Sequence, residues 1–107
     1  GKFPALLLII ALGIMGPVAE EAVFRLAPIS LTEKKSKMII VVLVTAVLFM
    51  LVHIHAFTVE EFLYNLPHFV TGLVYGIVMV LSRNVTIPIL LHIMNNLPAM
   101  VVATLFL

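Results

Sequence analysis

Charge is scarce in this chain, and cysteine is absent. Only 10% of its 107 residues are Asp, Glu, Lys or Arg and 64% are hydrophobic, whereas an ordinary soluble domain is about 25% charged. A soluble fold of this length could not hide so much apolar surface. Without cysteine there is neither a disulfide nor a thiolate metal site. The net charge is +1, and no basic stripe with interleaved aromatics is present, so the usual footprint of nucleic-acid binding is missing. No internal repeat and no His-Glu-x-x-His pair of zinc ligands occurs. The apolar runs are continuous, not alternating, which argues against a β-barrel and for helices in lipid that satisfy their own backbones.

What remains reads as an all-α, polytopic transmembrane bundle of about four helices forming one domain over residues 1–107. The first helix is expected from about Phe3 through Ala19 and can continue past Arg25. The loop Thr32-Glu33-Lys34-Lys35-Ser36-Lys37 follows, then a second helix from Met38 to about Phe57. A polar stretch from Thr58 to Pro67 leads into a third helix, His68 to Leu81. Ser82-Arg83-Asn84-Val85-Thr86 forms a turn, and Pro88, tolerated in an opening helical turn, starts a fourth helix to Leu107. Asn84-Val85-Thr86 matches a glycosylation sequon and is read instead as helix capping. Lys34, Lys35, Lys37 and Arg83 share one side of an up-and-down bundle, and the positive-inside rule makes that side cytoplasmic. Lys2 with Pro17-Val18-Ala19 has the outline of a signal peptide, a reading that would discard the segment leading into Glu20.

Ionisable groups at bilayer depth cost at least ~2.5 kcal/mol on insertion scales, so each is a candidate functional residue. Glu21 and Arg25 stand at i,i+4 and can pair, while Glu20 is turned about 100° from Glu21 and is left for another task. The bland alternative is that all three mark a helix end at the headgroups. Phe49 sits one helical turn before His53 and can limit the rotamers of its imidazole. His55, about 200° round from His53, is read as structural or interfacial, and so is His68. His92 and Asn96 stack at i,i+4 on one face with Asn95 expected to point elsewhere; the alternative is an interhelical hydrogen-bond pair. Gly72 and Gly76 give helix three a face of small residues for close packing. At ~1.5 Å per residue, Asn96 and Glu20 lie roughly 13 Å and 16 Å from the Lys-rich side, and His53 roughly 22 Å. Their meeting requires helix one to extend beyond Arg25 or the segment after it to fold back into the bundle, and tilt or a later start of helix two to absorb the greater depth of His53.

Taken in order, Glu20-Glu21-x-x-x-Arg25, Phe49-x-x-x-His53, Phe69-x-x-Gly72 and His92-x-x-x-Asn96 resemble the CAAX protease and bacteriocin-processing (CPBP, or Abi) intramembrane proteases, which include the Rce1-type CaaX endopeptidases. Leu26 stands where many relatives carry Gly. The resemblance implies an intramembrane endopeptidase in which Glu20 and His53 activate a water while His92 and Asn96 stabilise the oxyanion. Glu21, Arg25 and Phe49 would support them. A carboxylate in low dielectric takes up a proton more readily and can act as general base near neutrality. Oxyanion donors are typically worth ~2.7–4 kcal/mol each.

Substrates implied by the resemblance are membrane-associated proteins or peptides, prenylated CaaX tails among them, approached from the cytoplasmic side with membrane lipid around the bundle. The family is often named as metalloproteases, and Glu20, His53 and His92 would make a His₂Glu zinc set; the preferred expectation is a glutamate mechanism that requires no cofactor. Two other classes compete. A non-catalytic immunity or scaffold module of the same fold would gain nothing from several costly intramembrane polar groups. A proton-coupled transporter using Glu20 and His53 would be expected to show repeats or paired broken helices, which are absent here.

Overall fold

Proline and small residues shape the first helix. The computed structural model describes residues 2–106, in which helix α1 spans residues 2–30. It is α-helical over Lys2–Ile10, Gly16–Glu21 and Ala27–Ser30, and π-helical over Ala11–Met15 and Ala22–Leu26. Each π segment closes through an i→i+5 bond, Gly16 N–H to the Ala11 carbonyl and Ala27 N–H to the Ala22 carbonyl. Pro17 and Pro28 follow one residue after those closures. A proline ring removes a donor and crowds the carbonyl four residues earlier, and a locally widened turn relieves both faults. The second π segment includes Leu26 and begins directly after Glu20-Glu21. Helix one therefore extends well past Arg25, to Ser30, the first of the two routes by which the polar groups could meet.

Helix α2 is Lys35–Leu51, starting before Met38 and ending well short of Phe57. At its end the N–H groups of Val52, His53 and Ile54 bond back to Leu48, Met50 and Leu51, tight turns that unwind the helix. His53 accordingly rides on a turn beyond α2 and not on the helix itself. Its 17 residues span roughly 26 Å at ~1.5 Å per residue, at the short end of what crosses a bilayer.

Part of the expected polar loop is helical. Helix α3, Val59–Tyr64, is capped by Thr58, whose hydroxyl accepts the Glu61 N–H at 3.1 Å, the arrangement of a Thr-x-x-Glu start signal. Asn65 interrupts the path and is buried, donating through Nδ2 to the Glu61 carbonyl at 2.8 Å. Helix α4, Leu66–Ser82, begins with Pro67 in its first turn, so His68 belongs to that turn. It ends at Arg83, which adopts the left-handed conformation with φ 55°. Asn84 Oδ1 then accepts the Thr86 N–H at 3.0 Å, opening helix α5, Thr86–Phe106. Leu107 lies outside the described residues. No strand occurs among those residues, and the architecture is an all-α bundle in which residues 4–30, 59–82 and 86–106 are each long and apolar enough to cross a membrane.

The tightest seam joins α2 to α4. A Cβ added to Gly72 would lie 3.1 Å from Ala46 Cα, and one added to Gly76 would lie 2.9 Å from Val42 Cγ1. The absent side chains are what let the two backbones approach, the role expected of this small-residue face. Around the seam Ala46, Phe49, Tyr75 and Met79 are buried, and Ile29 from the end of α1 packs with Val42 and Met79. Gly13 performs the same service where α1 meets α5, with Leu97 Cδ1 at 2.7 Å from its missing Cβ. The bundle is a slab of 50 × 34 × 15 Å, thin enough that many Leu, Ile and Val side chains lie on the outside. In lipid such a surface carries no penalty, and cohesion comes from packing and internal polar contacts.

Candidate active site

Two neighbouring carboxylates of α1 converge on a single imidazole of α5. Glu21 Oε2 lies 2.8 Å from His92 Nδ1, and Glu20 Oε2 lies 3.8 Å from His92 Nε2. An ionised carboxylate only accepts, so Nδ1 carries the proton directed at Glu21, and Nε2 faces Glu20. The 100° between consecutive residues places the two acids at opposite nitrogens of one ring.

Glu21 is fully buried and is shared. Its other oxygen, Oε1, stands 3.4 Å from Arg25 Nε, and neither side chain is exposed. That ion pair lacks hydrogen-bond geometry, and none of the three guanidinium nitrogens has a hydrogen-bond partner among the described residues. Aromatic faces compensate in part. The guanidinium carbon sits 4.6 Å from the Phe49 ring centroid and 5.5 Å from that of Tyr75, an attraction that grows when the cation is out of water. Gly72 leaves the room, since a Cβ there would meet Arg25 Nη2 at 3.4 Å.

Phe49 is the hub. Its ring makes edge contacts with His53 at 4.9 Å, His92 at 5.7 Å, His68 at 6.1 Å and Phe24 at 5.4 Å between centroids. The imidazole of His53 reaches back across the end of α2, where Nδ1 lies 2.6 Å from the Phe49 carbonyl. A carbonyl only accepts; Nδ1 therefore donates, and neutral His53 presents the lone pair of Nε2. The ring also stacks on His68, 3.9 Å between centroids and 13° between planes. No hydrogen bond or ion pair joins Glu20 to His53 among the described residues; what links them is Phe49 and His92.

A cleft of about 180 Å³ opens beside this cluster, lined by Phe49, His53, His68, Tyr75, His92 and Asn96 with Pro67, Thr71 and Asn95. Glu20 is not in its wall, although its Oε2 is buried and without a hydrogen-bond partner among the described residues. Asn95 does not point elsewhere. It lines the cleft, and its Nδ2 donates to Asn96 Oδ1 at 3.2 Å, because a position three residues after His92 is only about 60° off its face. That bond ties up the Asn96 oxygen and leaves the Asn96 amide as the donor end.

His68, expected to be structural or interfacial, lines the cleft against His53, and Tyr75, which motif spacing does not single out, stacks on His92 at 5.2 Å. The available signal was periodicity: His68, Thr71 and Tyr75 recur at i, i+3 and i+7 as a polar stripe in an apolar helix. The alternative zinc set of Glu20, His53 and His92 is not gathered. Among the described residues no three His, Asp or Glu side chains are grouped so as to hold one metal ion, since His53 is turned to Phe49 and His68 while both acids address His92.

The chain matches no curated protein and no solved structure. A family model does match it, described as type II CAAX prenyl endopeptidase Rce1-like, over residues 2–98. That match runs through the Glu-Glu-x-x-x-Arg and Phe-x-x-x-His positions and nearly the whole of the chain, and the chain belongs to the Rce1-like family.

Proposed function

We propose that this protein hydrolyses peptide bonds of membrane-associated peptides or proteins, prenylated CaaX tails among them, by a glutamate-activated water. The observation that carries the reading is the buried line Arg25–Glu21–His92 facing Glu20, at the edge of a cleft walled by His53 and Asn96. Buried ion pairs rarely add net stability, because desolvation offsets their attraction. A module with only a scaffolding role would be as stable with apolar residues there.

In the proposed reaction Glu20 takes a proton from water as the water oxygen bonds to the scissile carbonyl carbon. The carbonyl π electrons move to its oxygen, and this oxyanion accepts hydrogen bonds from the Asn96 amide and from His92 Nε2–H. His92 carries both ring protons in that step, with Nδ1–H kept on Glu21. Glu20 then gives its proton to the departing amide nitrogen as the C–N bond breaks, leaving a carboxyl and an amine. His53, whose Nε2 lone pair is free, accepts a hydrogen bond from the second water proton and so orients the nucleophile. Arg25 holds Glu21 and through it the His92 ring; it is a positioning residue. No step requires a metal.

The test is cleavage of a fluorogenic farnesylated CaaX peptide by purified protein in nanodiscs. Glu20→Gln is expected to lower turnover by at least ~10²-fold while the thermal unfolding midpoint stays near that of the parent, because a positioned base typically contributes about 10²–10⁴-fold. Undiminished turnover would refute the role of Glu20. An unprenylated control peptide reports whether the lipid group belongs to the substrate.

A further inference from the structure

A second concavity lies on the outside of the α2–α4 seam, about 470 Å³ in volume and sharing no wall residue with the cleft. Met38, Val42, Leu73 and Ile77 form its apolar floor and sides, and Lys35 and Arg83 stand at its end. Lys35 opens α2 and Arg83 follows α4, so in this antiparallel pair both cations fall at the same extremity. Neither is in a salt bridge among the described residues. Along α2 the groove runs from Lys35 to Leu43 and along α4 from Arg83 back to Leu73, roughly 12–15 Å at ~1.5 Å per residue. That is the depth of one leaflet, half of the ~30 Å hydrocarbon core.

Arg83 adds an independent observation. It occupies the left-handed position that ends α4, with φ 55°, a conformation that Gly or Asn adopts with less strain. The sequence keeps a cation there at some local cost, and strained residues of this kind gather at ligand contacts. We propose that the groove is a binding site for one anionic glycerophospholipid, its phosphate held between Lys35 and Arg83 and an acyl chain laid along Val42, Leu73 and Ile77. The open side of the groove, where Ile39, Ile77 and Leu81 are exposed, gives lateral entry from the bilayer.

The experiment is native mass spectrometry of the intact protein released from nanodiscs of equal phosphatidylglycerol and phosphatidylcholine with matched chains. Each cation near an anionic headgroup favours it by about fivefold, roughly 1 kcal/mol, so the parent is expected to retain phosphatidylglycerol about 25-fold over phosphatidylcholine. Lys35→Gln with Arg83→Gln, both exposed positions, should bring the ratio near one without unfolding the protein. Ile77→Trp should fill the groove and lower retention of both lipids at an unchanged ratio. Equal retention by the parent, or a preference that survives the double substitution, overturns the proposal. So does a photo-crosslinker at position 77 that captures a peptide of this protein instead of lipid, or displacement of the retained lipid by the farnesylated peptide. Glu20→Gln should leave the lipid ratio untouched, which separates this site from the proteolytic reading.

Discussion

Replacing Glu21 by Gln is the most demanding test of the buried polar cluster. Both neighbours of this carboxylate are donors: Arg25 Nε faces Oε1 at 3.4 Å and His92 Nδ1 faces Oε2 at 2.8 Å. A carboxamide keeps the shape but has one acceptor and one donor end, so whichever way it turns, its NH₂ confronts N–H. The charge is lost as well, leaving Arg25, with no exposed surface, uncompensated. Removing one partner of a buried pair typically costs ~3–5 kcal/mol, whereas replacing both with apolar residues of similar volume is close to neutral. Glu21→Gln is therefore expected to destabilise by about 3 kcal/mol or more. Arg25→Met in the Glu21→Gln background should recover at least about 2 kcal/mol of that. Reversible unfolding of purified protein in mixed micelles with increasing SDS, followed by circular dichroism, measures all four corners of the cycle. Activity should not return with stability in the double variant, because a neutral carboxamide can accept from His92 Nδ1–H but supplies no negative charge to support the doubly protonated ring that the proposed step requires. A Glu21→Gln protein within about 1 kcal/mol of the parent, or an Arg25→Met cost equal in both backgrounds, would refute the coupling.

Three further outcomes are expected. Gly76→Val should separate α2 from α4, since even a Cβ would lie 2.9 Å from Val42 Cγ1 on a stiff β-branched side chain; a loss of at least ~2 kcal/mol in the same SDS titration checks it. His68→Phe preserves the flat partner of the His53 ring and should keep peptide cleavage within about threefold, while His68→Ala should lower kcat about tenfold with little change in KM, an order typical of losing one orienting contact. If His68→Phe is as slow as His68→Ala, His68 has a proton-linked role beyond stacking. Incubation with EDTA or 1,10-phenanthroline is expected to leave turnover unchanged and metal analysis of the active preparation to find less than one equivalent of zinc; inactivation reversed by added zinc would overturn the metal-free scheme.

Composition and hydropathy suffice to assign the class of this protein. Scarce charge, long apolar runs and polar turns at Thr32–Lys37 and Ser82–Thr86 leave little besides a helical bundle in lipid, because backbone groups in hydrocarbon must pair within their own segment. Periodicity identified the Glu21–Arg25 pair, the His92–Asn96 face and the Gly72–Gly76 seam, all interactions along or just across one helix. Contacts between helices lie beyond that reach. Which acid meets which histidine depends on the pitch of α1 where it widens at residues 22–26 and on its crossing with α5, 71 residues away from Glu21 in sequence. The end of α2 at Leu51 turned His53 away from a helix face and onto His68. Local sequence sets the direction of a side chain relative to its own axis; only the packing of axes against one another sets what that side chain meets.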